Sequence, residues 1–164
     1  MTTRPIGRRL TGNTIHARCV CAGVRIEASF PAFWAWHDHT RATQHAHGAA
    51  SATYVGCWRS RVRITEGSDL VTRFEDIESG AARSFCARCG TPLIYERRQS
   101  ATMINIPRAL FETRTGREPR YHVGIDERPD WAYGGAALRP LKGFPGVVWE
   151  RPNRKRRPPG DDTA

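Results

Sequence analysis

Short β-prone runs recur along this chain, and in some of them apolar and polar residues alternate with period two. Thr14 to Arg18 leads into Cys19-Val-Cys21-Ala-Gly23, and Val24-Arg-Ile-Glu-Ala28 then alternates cleanly, which predicts a hairpin whose turn carries two thiols and Gly23. Residues 31–50 break the pattern. Pro31-Ala-Phe-Trp-Ala-Trp36 is followed by a polar stretch holding four of the six His, and it reads as a short helix from about Thr40 to Ala46 or as a loop. Trp34 and Trp36 are expected to anchor this segment on the core.

Strand signals return at Ser51. Residues 52–58, 61–65 and 70–74 are β-prone runs, and in Arg61-Val-Arg-Ile-Thr65 the apolar Val62 and Ile64 face inward. A turn at Ile77-Glu-Ser-Gly80 returns the chain into Ala82–Cys86, and a second thiol turn, Cys86-Ala-Arg-Cys89-Gly90, precedes a strand through Leu93, Ile94 and Tyr95. Residues 101–106 and Tyr121–Ile125 add two more β runs, with a brief helix expected over Pro107–Phe111. The pattern predicts a mainly β fold of short antiparallel sheets. With 164 residues it fits one domain, placed at 14–138, after a flexible basic N-terminus (1–13). A packed or partly ordered extension (139–150) and a disordered basic tail (151–164), rich in proline and charge, complete the division.

Charge changes this picture at the ends only. Of the formal +10, residues 1–18 contribute four Arg without an acid, and residues 139–164 contribute seven bases against three acids. The 120 residues between them hold 15 bases and 13 acids, close to balance. Basic ends favour contact with polyanions without reading a sequence. The hydrophobic fraction is 39% and mean hydropathy is −0.57, and no apolar run approaches the roughly 20 residues that cross a bilayer. No membrane contact and a cytoplasmic location are expected.

Five cysteines in such a chain point to metal or reactive thiol before disulfides. Cys19 with Cys21 and Cys86 with Cys89 form two close pairs, each able to supply one edge of a tetrahedron, so one structural zinc on these four is expected. Crossed disulfides and an iron–sulfur centre need the same residues, although the one-residue spacing of Cys19 and Cys21 departs from ferredoxin spacings. Cys57 reads as a buried inert thiol.

Cys19-Val-Cys21-Ala-Gly-Val-Arg-Ile and Arg83-Ser-Phe-Cys86-Ala-Arg-Cys89-Gly-Thr-Pro-Leu together resemble the glutathione-dependent formaldehyde-activating enzyme family, the centromere-protein-V/GFA domain of Mss4-like fold. Pro119-Arg-Tyr-His122-Val and Pro129-Asp-Trp131 resemble its closing segment. The resemblance implies an Mss4-like fold joined by the structural zinc, and the activity of a carbon–sulfur lyase on thiol–aldehyde adducts. It also implies a second, three-thiolate zinc site from a Cys-His-Cys-x-x-Cys stretch. Aligning on His47-Gly48-Ala49-Ala50 puts that stretch at residues 38–43, where Asp38, Thr40 and Thr43 stand at the Cys positions and His39 at the His. One carboxylate and two hydroxyls do not reproduce a trithiolate site.

His37, Asp38, His39, His45 and His47 still form a dense donor group. It reads as a polar pocket wall, a rebuilt second metal site, or a solvated loop. Asp38 and His39 are the first candidates for pocket chemistry, with His47 and His122 behind them, and a small thiol or aldehyde adduct as ligand. Trp34, Trp36, Trp58 and Trp131 read as core or pocket lining. The alternative function is a non-catalytic scaffold whose basic termini, Arg154-Lys-Arg-Arg157 above all, contact nucleic acid or an acidic partner.

Overall fold

A computed structural model of the protein describes residues 13–132 and 138–150. Among the described residues twelve strands form two sheets, the expected β runs joined by the strand Trp34–Asp38, which falls in the segment 31–50 read as helix or loop, and by two strands within 138–150. The smaller sheet holds β1 (Thr14–Arg18), β2 (Arg25–Ser29) and β5 (Val62–Glu66) in that order. The larger contains β3 (Trp34–Asp38), β4 (Ala52–Trp58), β6 (Val71–Asp76), β7 (Ala81–Cys86), β8 (Pro92–Arg97), β9 (Met103–Pro107), β10 (Tyr121–Val123), β11 (Leu138–Pro140) and β12 (Val147–Glu150). Their spatial order is β11-β12-β10-β3-β4-β9-β8-β7-β6. Pairing is antiparallel except between β10 and β3, which run parallel with His122 opposite His37. The sequence pattern anticipates strands here but not this crossover, because the connection from β3 to β10 spans more than 80 residues.

Strand alternation gives the large sheet two unlike faces. One face packs on the small sheet. Ala35, Val55, Cys57, Leu93, Ile104 and Ile106 meet Ala17, Val24, Ile26, Ala28 and Val62 in one core. Full burial of an aliphatic side chain of this size stabilises by roughly 1.5–3 kcal/mol. The other face carries an aromatic row. Tyr121 stacks on Trp34 at 4.7 Å, and Trp36, Tyr54 and Tyr95 continue it at 5.3–5.6 Å spacing. Trp36, Tyr54 and Tyr95 are buried.

The helix α1 (Arg41–His47) lies against this aromatic face, with His47 on Tyr54. Seven residues form no stable helix alone, so tertiary contacts hold it. Arg41 N–H donates to Glu127 Oε2 at 2.7 Å, and Gln44 Nε2 donates to the carbonyls of His39 and Glu127. Gly124 has φ of 63° and packs on Thr40, where a Cβ would come within 2.8 Å of the threonine methyl. Only glycine lets β10 end that close to the start of α1.

The segment expected to be helical over 107–111 is a single 3-10 turn, Arg108–Leu110. Residues 138–150 add β11 and β12, which extend the large sheet beyond β10. The basic termini at 1–12 and 151–164, and with them the expected polyanion contact, lie outside the described residues. Among the described residues no helix is long and apolar enough to cross a membrane.

Candidate metal centre and pocket

The four paired thiols meet where the two cysteine turns face one another. The first turn follows β1. Ala22 N–H bonds Cys19 O at 2.9 Å, Ala22 takes a left-handed φ of 56°, and Cys19 N–H returns to Val24 O. The second follows β7, with Gly90 N–H on Cys86 O at 2.8 Å and Cys86 N–H on Thr91 O at 3.0 Å. The Sγ atoms of Cys19, Cys21, Cys86 and Cys89 all lie within 4.8 Å of one another. Cys19 to Cys21 is 3.4 Å and Cys21 to Cys86 is 3.8 Å.

A tetrahedral zinc with bonds near 2.3 Å needs sulfurs about 3.8 Å apart, so this donor set fits the ion. Its surroundings are those of thiolates. Val24 N–H donates to Cys19 Sγ at 3.3 Å, and Thr91 Oγ1 lies 3.1 Å from Cys89 Sγ. The Thr91 contact draws the Cys89 thiol down to about 5, so it gives up its proton readily. The N–H of Gly23 pulls Cys21 the same way, yet burial and the three neighbouring sulfurs outweigh it and hold Cys21 at about 11. Crowding of this kind is what a cation relieves. Cys57 is not part of the converging group, and its burial raises the thiol to about 12, which leaves it inert.

The positions where the resemblance implies a second thiolate cluster lie on the aromatic face instead. Asp38 is fully buried at the end of β3 and spends Oδ1 on the N–H and hydroxyl of Thr40 at 3.0 and 2.6 Å. Its Oδ2 has no hydrogen bond, and Arg97 Nη2 lies 3.7 Å from it. Thr43 is buried on α1 and its hydroxyl accepts from Arg83 Nη2 at 3.1 Å. These residues do not fit a soft metal. Asp38 Oδ1 and the Thr43 hydroxyl are engaged in hydrogen bonds, and a guanidinium already stands against Asp38 Oδ2.

Arg83 organises what replaces that cluster. From β7 it donates Nη1 to the Tyr54 hydroxyl at 3.0 Å and lies 4.4 Å over the ring of Tyr95. The Tyr54 hydroxyl also lies 2.7 Å from Nε2 of His47. Burial, followed by the Arg83 charge, lowers the pKa of His47 and keeps it neutral. Burial raises the Tyr54 hydroxyl more than Arg83 lowers it. Arg83, Tyr54 and His47 form the polar end of a pocket of about 390 Å³ whose other walls include Phe74, Phe85, Pro92, Ile94 and Tyr95.

The histidines grouped by the sequence divide between two places. His47 joins the pocket. His39 Nε2 instead meets His122 Nδ1 at 2.9 Å, and the His37 ring lies 4.7 Å from that of His122. Burial and the neighbouring His37 lower His39, and burial with His37, His39 and Arg128 drives His122 down to about 4. Among the described residues, the group whose ligand atoms converge for a metal is the four cysteines, not these histidines. Position explains the split, since His37 lies on β3 opposite His122 on β10 whereas His47 lies on α1 against Tyr54. Trp131 is 75% exposed and Trp58 is only partly covered by Phe33, so neither has the lining role expected of it. Arg83, Tyr54 and Tyr95 were not among the residues singled out for chemistry. Their one local signal was an arginine between apolar positions of a strand.

The fold and the thiol cluster define a mainly β protein of two sheets closed by a four-cysteine centre able to coordinate a metal. Residues 14–127 match the family model described as glutathione-dependent formaldehyde-activating enzyme, and the chain belongs to that family. Among solved structures it resembles a Rhodobacter sphaeroides protein from a structural genomics programme, at 20% identity and TM-score 0.53, over 61% of this chain and 90% of that one. No curated protein matches it.

Proposed function

We propose that this chain is a zinc-stabilised family member that binds a small molecule in the pocket on its aromatic face and handles it without a second metal. Cys19, Cys21, Cys86 and Cys89 would hold the zinc, which supplies structural closure between two distant turns. The observation that carries the reading is the Arg83–Tyr54–His47 chain at the end of an apolar pocket, joined through Thr43 to the segment that replaces the family's second thiolate cluster.

The family's chemistry supports a thiol–aldehyde adduct as ligand and carbon–sulfur cleavage or formation as reaction. In cleavage the adduct hydroxyl loses its proton, the carbon–oxygen double bond forms, the carbon–sulfur bond breaks, and sulfur takes up a proton. The Tyr54–His47 pair would carry that proton from oxygen to sulfur, since the two groups already share a hydrogen bond of 2.7 Å. Exchange NMR on formaldehyde mixed with glutathione tests this. The protein should accelerate adduct exchange over buffer, and Tyr54→Phe should remove most of the acceleration. A rate equal to that in buffer would reject the catalytic reading.

A further inference from the structure

Among the described residues, Arg83 is the one cation that both lines this pocket and reaches the Thr43 hydroxyl, and it makes no ion pair with any of their carboxylates. Its contacts are two hydroxyls and an aromatic face, and among the described residues no carboxylate lies within ion-pair distance of it. Asp76 feels its charge only from further away. A partly buried guanidinium is ordinarily compensated, because removing it from water without a counter-charge is costly. Three arginines near it show the contrast. Arg59 and Arg73 both hold Glu96, and Arg97 has Asp38.

Two of the five donor positions of Arg83 are used by Tyr54 and Thr43, and Arg83 lines the cavity. Phe74, Phe85, Ile94 and Pro92 also line it, and no charged group is among them. A pocket of this size is at the small end of ligand sites. From the uncompensated charge and the apolar walls, we propose that the pocket selects a small organic carboxylate, its anionic group on Arg83 and its apolar body against the aromatic row. This rests on the reading of the pocket as the ligand site and adds the charge and shape of what it takes. A thiol adduct would satisfy it through a carboxylate on the thiol's own carbon skeleton.

Calorimetric titration of the zinc-loaded full chain with phenylacetate and with its neutral analogue phenylacetamide separates the two claims. Phenylacetate should bind at one per chain and at least about tenfold more tightly than the amide, the margin of one charge-assisted hydrogen-bond pair. Arg83→Met should abolish that preference while leaving the weak affinity for the amide in place. Arg83→Lys, which keeps the charge and loses the planar fork, should retain part of it, and guards against a methionine variant that fails to fold. Equal binding of acid and amide to the native protein, each blocked by Ile94→Trp, would overturn the carboxylate assignment and leave the pocket as ligand site. Binding of neither probe would overturn both.

Discussion

Val20 donates its backbone N–H to the hydroxyl of Thr91 at 3.2 Å, across the gap between the two cysteine turns. The same oxygen lies 3.1 Å from Cys89 Sγ. One threonine thus ties together turns that are some 70 residues apart in the chain, and it favours the thiolate form of the ligand that holds them. The turns are preset for a metal by ordinary hydrogen bonds before any ion is considered.

Thr91→Val should preserve the shape of that contact and remove both polar interactions. Val20 is 86% exposed, so water can take up its N–H and the loss of this part-buried hydrogen bond costs about 1 kcal/mol at most. Zinc transfer to a chromophoric chelator should accelerate and the thermal midpoint should fall by a few degrees. An unchanged transfer rate would remove Thr91 from the account.

Tyr54→Phe strands Arg83 Nη1 and His47 Nε2 at once. Buried groups left unpaired cost roughly 1–3 kcal/mol, so urea should unfold this variant at a lower midpoint with an unchanged slope. His47→Gln, whose amide can either donate to or accept from Tyr54, should be markedly milder. If the two variants are equally stable, the Tyr54 hydroxyl is not the hub described above.

The His39–His122 pair makes stability fall in mild acid. Two imidazoles 2.9 Å apart need one donor and one acceptor, and His122 is held at about 4 by burial and by His37, His39 and Arg128. The unfolded chain protonates such a histidine near 6.5, so between pH 6.5 and 4 the unfolded state binds more protons. The stability contributed by neutral His122 is complete above 6.5 and is lost progressively as pH falls toward 4. Thermal midpoints measured from pH 7.5 to 4.5 should drop more steeply in the native protein than in His122→Asn. Parallel curves would contradict this.

Much of this fold was legible because strand alternation is a local property. The run Arg61–Thr65 became β5 with Val62 buried, and the two thiol pairs met as their spacing predicted. The choice between helix and loop after Thr40 was not settled by the residues themselves, because α1 owes its existence to Glu127, more than 80 positions away. The pocket was harder still to read. Arg83 acquires its meaning from Tyr54 on β4, Tyr95 on β8 and Thr43 on α1, which only the sheet order brings together. The histidine stretch looked like one donor group because composition carries no direction, and its members lie on different elements, His37 on β3 beside β10 and His47 on α1 against Tyr54.

The central claim is that one structural metal and a metal-free pocket coexist in this chain. Elemental analysis of freshly purified, tag-free protein tests it most directly, run beside Cys86→Ser and Asp38→Asn. The account predicts one zinc per chain in the native protein and in Asp38→Asn, and none in Cys86→Ser, which should also lose its cooperative unfolding. Two metals per native chain, with one lost in Asp38→Asn, would contradict it, as would full zinc retention by Cys86→Ser.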